Sequence, residues 1–166
     1  MIKNSEFISI TIPFYNEEKE IEGLLKNIST FEKKNNLIKE YILIDDSSND
    51  LSLAKVNKFY KNCNVKIKKK IRIIKNKLNI GWAKSVNKGY SLSRGEYLMF
   101  LPGDGEIKLT NFMSKVSFKK DVIVIQRSEM TGRPLGRIII SKLYQMIISL
   151  IFNIKLFDYN TIIILK

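Results

Sequence analysis

The chain contains no histidine and one cysteine, Cys63, so acidic side chains must carry most of any chemistry it performs. Ser-His-Asp hydrolysis and histidine-ligated zinc are excluded, and Cys63 has no imidazole to activate it. The candidate acids fall in three short clusters: Glu17 in "PFYNEE" (13–18), Asp45 and Asp46 in "LIDDSSND" (43–50), and Asp104 and Glu106 in "FLPGDGEI" (100–107). Carboxylates accept hydrogen bonds, so Asp45 and Asp46 suit a ribose hydroxyl or a base N–H and would repel a bare phosphate. A turn in which Asp or Ser merely caps the next helix uses the same residues. Asp104 and Glu106 offer the hard oxygens that Mg or Mn prefers, with a bound diphosphate completing the shell, and Gly103 and Gly105 would let backbone and phosphate approach closely. A plain Pro-Gly-Asp-Gly reverse turn also satisfies that stretch.

Each cluster follows an apolar run. "FISITI" (7–12) is β-branched and meets Pro13, as a buried strand should. Asn16 is then expected to cap a helix with Glu17 and Glu18 in its first turn, and Ile21, Leu24, Leu25 and Ile28 give it one apolar stripe. "YILI" (41–44) predicts a second strand and 50–60 a second helix. A third strand is expected over 65–74, and a third helix over 82–93 with Trp82, Val86 and Tyr90 on one face. "EYLMFL" (96–101) and "VIVI" (122–125) complete the strands. Alternating strands and helices predict an α/β domain whose mostly parallel central sheet carries helices on both faces. In such sheets ligands sit beyond the carboxyl ends of the strands, where all three acidic clusters fall.

The length of 166 residues suits one domain with a real core. A formal charge of +13 predicts attraction to polyanions: nucleic acid, an anionic membrane surface or a phosphorylated substrate. A merely solvated basic surface is the plainer alternative. The densest run, "KIKKKIR" (66–72), alternates apolar with basic and reads as a strand with one wet face. The aromatics are not interleaved with basic residues as a stacking platform requires, so no specific nucleic-acid partner is expected. One cysteine rules out an internal disulfide and fits a reducing compartment. The amino terminus has no signal-peptide pattern. Residues 138–152 are the most apolar, but Ser141, Lys142, Gln145 and Ser149 interrupt them short of the ~20 residues a spanning helix needs. Over 137–155, Ser141, Gln145, Ser149 and Asn153 recur every fourth residue, which predicts a helix with one narrow polar stripe. It would lie in a membrane interface with Arg137, Lys142 and Lys155 toward headgroups, or else pack as a core or homo-oligomer helix.

Together these stretches resemble the family 2 glycosyltransferases of GT-A, Rossmann-like fold. The resemblance is carried by 8–25, 41–50 and "NIGWAKSVNKGYSLSRGEYLMFLPGDGE" (79–106), and more loosely by 121–158. It implies a hexosyltransferase acting with inversion on a nucleotide-diphosphate sugar, with a divalent cation, Mg or Mn. Pro13, Tyr15 and Glu17 would line the nucleotide pocket, Asp45 and Asp46 would meet base or ribose, and Gly81 with Lys84 would lie near the diphosphate. Asp104 falls on the last acid of the family's Asp-x-Asp metal motif, with Glu106 as a further ligand; Pro102 occupies the position of the first acid. The later segment is similar to polyprenyl-phosphate sugar transferases, whose phosphate-facing arginines match Arg127, Arg133 and Arg137. Asp104 and Arg127 are thereby the implied catalytic pair, at the cytoplasmic, inner face of the cell membrane. A hydroxyl on a surface glycan as acceptor, and a catalytically impaired nucleotide-binding remnant, are the alternatives. Relatives continue past Asp158, so a carboxyl-terminally shortened domain over 1–166 is implied.

Overall fold

Seven consecutive buried residues, "ISITIPF", form the first strand, β1 (Ile8–Phe14). Such a run fits a position covered on both faces. The computed structural model describes residues 7–105, 107–125, 135–152 and 162–166. The order continues with α1 (Ile21–Glu32), β2 (Ile38–Asp45), α2 (Ser52–Asn62), α3 (Val65–Lys70), β3 (Ile71–Lys75), α4 (Trp82–Ser91), β4 (Tyr97–Phe100) and α5 (Leu109–Phe112). A single 3-10 turn, β5 (Val122–Ile125), α6 (Leu135–Phe152) and β6 (Ile162–Leu165) follow. The sheet runs β3-β2-β1-β4-β6-β5. β1 pairs in parallel with β2 and β4, β2 in parallel with β3, and β4 antiparallel with β6.

Residues group into two compact units, Met1–Ile123 with Ile164–Lys166, and Val124–Ile163. In the first, β1 sorts its neighbours by residue parity. Ile10 lies beside Tyr41 of β2, whose hydroxyl donates to Glu32 of α1 (2.9 Å). Thr11, on the opposite face, abuts Gly89 of α4, where a Cβ would collide with the threonine side chain. Helices therefore cover both faces, as expected.

Two expectations are corrected. The first helix begins at Ile21, with Glu20 rather than Asn16 at its cap position. Asn16 adopts a left-handed conformation (φ 55°), and its Oδ1 accepts from the Asn49 backbone N–H, so it ties the loop after β1 to the loop after β2. Nor do residues 65–74 form one strand. The first six are helical because Asn64 Oδ1 accepts from Ile67 N (2.9 Å), a side-chain cap. The last three of the four lysines of α3 leave the helix in three directions. Lys68 lies over the Tyr60 ring, Lys69 is exposed, and Lys70 is buried against Glu32 (2.9 Å).

At the amino-terminal end of the sheet, buried Glu40 holds β1, β2, β3 and the turn into β4 together. Its carboxylate accepts from Arg72 Nη1 (2.8 Å), Ser9 Oγ (2.9 Å) and Arg94 N (2.6 Å). Burial alone would raise its pKa; these hydrogen bonds outweigh burial and hold it below the ordinary value. Within the second unit, α6 exposes Ile140, Leu143, Met146, Ile147 and Leu150, while Ser141, Gln145 and Ser149 are less exposed. Among the described residues no helix is long and apolar enough to cross a membrane.

Candidate functional site

The carboxyl ends of β1, β2 and β4 open into a cleft of ≈ 410 Å³. It is lined by Pro13, Phe14, Tyr15 and Glu17 after β1, by Asp46 after β2, by Asn79, Gly81 and Trp82 leading into α4, and by Pro102, Gly103 and Asp104 after β4. Four segments far apart in sequence meet there because β3, β2, β1 and β4 are adjacent in the sheet.

Asp46 builds the wall formed by 79–82. Its Oδ1 accepts from Asn76 Nδ2 (2.7 Å) and Ile80 N (3.0 Å), and its Oδ2 from Gly81 N (2.9 Å). Asn76 is fixed in turn by Ser85 Oγ (2.9 Å) and by Lys88 Nζ, which donates to its Oδ1 (2.6 Å). Burial pushes the Asp46 pKa up, but donors from Ile80, Asn76, Gly81 and Ser85 prevail and hold it below the usual carboxylate value. Gly81 takes φ 87°, which glycine adopts without strain. Trp82 follows it, 55% exposed, with its ring edge-on to Phe100 at 5.2 Å. With Tyr15, 42% exposed, it gives the cleft two accessible aromatic surfaces.

The acid at the opposite lip sits on a loop held tightly to β1. A Cβ on Gly103 would fall 2.7 Å from Phe14 Cβ and 2.8 Å from Pro13 O, and Gly105 takes φ 71°. The Pro-Gly-Asp-Gly sequence therefore meets two separate demands, close approach and a left-handed turn. Gly103→Ala is expected to push the loop off β1, at a cost of about 1–3 kcal/mol. Chemical denaturation measures that loss, and amide shifts of Phe14 and Asp104 report the displacement.

Glu17 lines the same cleft as Asp104, close enough to feel its charge. Partial burial chiefly, and then the negative charges of Asp104, Glu20 and Asp50, raise its pKa above the ordinary value. Two mutually repelling carboxylate side chains present the hard oxygen donors that a divalent cation takes. Among the described residues no group of three or more acids or cysteines could hold a metal ion by itself.

Of the residues singled out from the sequence, Pro13, Tyr15, Glu17, Asp46, Gly81 and Asp104 come together in this cleft. Asp45 is fully buried and does not line it; its Oδ1 accepts from Ser48 N (2.9 Å). Lys84 is exposed on the first turn of α4, outside the lining. Glu106, Arg127 and Arg133 lie outside the described residues, as does the side chain of Arg137. Gly103, expected to let phosphate approach closely, also lines the cleft, whereas Phe14, Asn79, Trp82 and Pro102 line it without a predicted binding role. The signal for Trp82 was its place directly after a glycine at a helix start, where the first turn borders the cleft.

A mostly parallel sheet with a cleft across the carboxyl ends of its parallel strands has the architecture of α/β ligand-binding enzymes. The model for glycosyl transferase family 2 matches residues 9–152, and the chain belongs to that family. It is 31% identical over 117 residues to an uncharacterized glycosyltransferase of Haemophilus influenzae, covering 69% of this chain and 33% of that protein. It is 30% identical over 111 residues to a dolichyl-phosphate beta-glucosyltransferase of Dictyostelium discoideum, covering 64% of this chain and 33% of that protein. The chain thus spans about a third of the length of these relatives. Among solved structures, S. aureus TarS 1-349 in complex with UDP-GlcNAc superposes with a TM-score of 0.57 at 26% identity, over 78% of this chain and 36% of that one. Glucosyl-3-phosphoglycerate synthase of Mycobacterium tuberculosis, in complex with Mn2+, UDP and glucosyl-3-phosphoglycerate, superposes with a TM-score of 0.67 at 15% identity. That match covers 97% of this chain and 57% of the synthase, and supports the GT-A fold.

Proposed function

We propose that this chain forms the donor-binding and catalytic part of an inverting glycosyltransferase that takes a hexose from a nucleotide-diphosphate sugar. The observation that carries the reading is that one cleft brings Glu17 and Asp104 together with the glycine-ended wall held by Asp46. Tyr15 and Trp82 offer apolar faces for base or sugar, and Asp46, with Asp45 behind it, stands where ribose or base donors would be recognised. Gly81, with Lys84 one turn into α4, marks the diphosphate end. Glu17 and Asp104 would hold Mg or Mn, with Glu106 as a further ligand; such a cation supplies charge neutralisation to the departing nucleoside diphosphate. Relatives of this fold crystallised with Mn2+ support that choice.

In the reaction an acceptor oxygen forms a bond to the anomeric carbon from the face opposite the diphosphate. The bond from that carbon to the diphosphate oxygen breaks, and the nucleoside diphosphate leaves with the electron pair. A polyprenyl phosphate acceptor is already an anion and releases no proton, which suits a chain without histidine. The relative named for dolichyl phosphate supports this acceptor over a glycan hydroxyl. Arg127, Arg133 and Arg137 are assigned to the acceptor phosphate, which guanidinium binds bidentately. The exposed apolar surface of α6 supports a peripheral position on the inner membrane face. Pro102, at the cleft where the family pattern has an acid, favours one rival: donor binding without turnover.

A thermal-shift panel of UDP-, GDP- and dTDP-sugars with and without Mn tests the reading. A bound donor at a hundredfold excess over Kd should add about 2.7 kcal/mol, a Tm rise of roughly 5–10 °C. Asp104→Asn should abolish the Mn-dependent part of that rise. If no nucleotide sugar protects the wild type, donor binding is refuted; if protection occurs without product in a radiolabelled-sugar assay, the non-catalytic rival holds.

A further inference from the structure

At the amino-terminal end of the same parallel strands lies a second concavity, of ≈ 590 Å³, lined by Lys39, Glu40, Val65, Lys66, Lys69, Lys70, Arg72 and Arg94. Measured along β2 from Lys39 to Asp46, it is roughly 23 Å from the cleft, at about 3.3 Å per residue. A nucleotide sugar in one cannot fill the other.

Six cations and one carboxylate line the groove, and the carboxylate is committed. Glu40 pairs with Arg72 at 2.8 Å, and Lys70, 5% exposed, pairs with Glu32 behind the lining at 2.9 Å. Lys39, Lys66, Lys69 and Arg94 have no carboxylate within ion-pair distance among the described residues. Their arrangement is costly in the free protein. Lys66 and Lys69 stand at i and i+3 on α3, where like charges repel, and Lys66 occupies the first turn, where the helix dipole disfavours a cation. Lys68, which lies over Tyr60 instead, shows that the helix can direct a lysine away. Arg94 is presented by a backbone fixed through two bonds: its N–H reaches Glu40 Oε1 and Ser9 Oγ.

We propose that this groove is a second anion site that takes a phosphate or diphosphate group, supplied by a membrane lipid headgroup or by a soluble phosphate compound. The guanidinium fork of Arg94 and the ammonium groups of Lys39, Lys66 and Lys69 match phosphate oxygens. Val65, 68% exposed at the rim, adds an apolar contact of the kind a lipid surface offers. No aromatic side chain lines the groove, so it lacks the stacking surface a single-stranded nucleic acid would use. The site is independent of the donor cleft and of the reaction proposed for it.

The test uses the full chain, the variant Lys66→Gln/Lys69→Gln/Arg94→Gln, and a charge-matched control, Lys26→Gln/Lys119→Gln/Lys120→Gln, whose lysines are exposed outside the groove. Inorganic pyrophosphate is titrated by NMR. Flotation compares phosphatidylglycerol-containing with pure phosphatidylcholine vesicles, and a single-stranded oligonucleotide is titrated in parallel. Each lost cation should weaken phosphate binding about fivefold, so the groove variant should fall on the order of 100-fold below wild type, with the control little changed. Pyrophosphate shifts at Lys66, Lys69 and Arg94 indicate a soluble ligand. Vesicle binding that needs phosphatidylglycerol and the groove lysines indicates a headgroup. The proposal is overturned if neither probe binds, if the control loses as much as the groove variant, or if the oligonucleotide binds the groove more tightly than both. Circular dichroism and Tm confirm that the groove variant is folded.

Discussion

Asp46→Ala is expected to lower stability by about 2–4 kcal/mol and to weaken binding of a nucleotide-sugar donor by at least about tenfold. The substitution leaves Asn76 Nδ2, Ile80 N and Gly81 N without their shared acceptor, and the side chain is itself nearly buried. The loop that carries Asn79, Gly81 and Trp82 into the cleft would lose its anchor while its sequence stays intact. Hydrogen exchange distinguishes this from general destabilisation, because the Ile80 and Gly81 amides should lose protection before the amides of β1 and β2 do. The pH dependence carries the same signature. A carboxylate whose folded-state pKa is depressed contributes stability above its unfolded value and loses it as pH falls through the folded one. The wild type should therefore weaken more steeply than Asp46→Ala as pH drops below the ordinary carboxylate range. Parallel acid-denaturation curves would assign the anchoring to something else.

Glu32→Ala should cost about 3–5 kcal/mol, because it removes the carboxylate paired with the buried Lys70 ammonium. Asn36 Oδ1 at 3.2 Å remains as an acceptor but carries no charge. Tyr41 loses its partner as well: its hydroxyl donates to Glu32 Oε1, and burial first, then the Glu32 charge, raises its pKa well above the usual value. The companion variant Glu32→Leu/Lys70→Met removes both charges and should recover most of the loss, since buried pairs exchange for apolar residues at little net cost. Urea unfolding of the two variants decides the matter. If the double variant is as unstable as the single one, shape rather than charge governs this part of the core.

How much of this was legible in the sequence depended on whether the deciding contact was local. β1, β2 and β5 were, because the β-branched run of β1 and the short apolar runs YILI and VIVI suit a strand on local grounds alone. "VKIKKK" was not, since its alternation suits a strand while Ile67 and Lys70 at i and i+3 suit a helix. What settles it is the Asn64 cap together with Glu32, a partner on α1. Asn16 reads as a helix cap because its type and the acids after it fit that role. Its actual partners, Ser48 and Asn49, come from a loop that only the parallel pairing of β1 with β2 brings near. The acids of the cleft were visible as types at strand ends. That Asp46 spends its oxygens on the loop from 76 to 81 was not, because it follows from the position of β3 at the sheet edge. β6 was missed for a similar reason: "IIIL" becomes a strand through pairing with β4.

That pairing also sets a timetable. β1, β2, β3 and β4 can assemble as soon as residue 100 is available, yet the free side of β4 finds its partner only when Met99 meets Ile164. During synthesis the half-built sheet must wait, with the backbone donors and acceptors of an apolar strand open to whatever else is extended nearby. The risk of mispairing is therefore greatest while the intervening segment is being made. It ends not when the donor cleft is complete but when a strand far downstream in the chain takes its place beside β4.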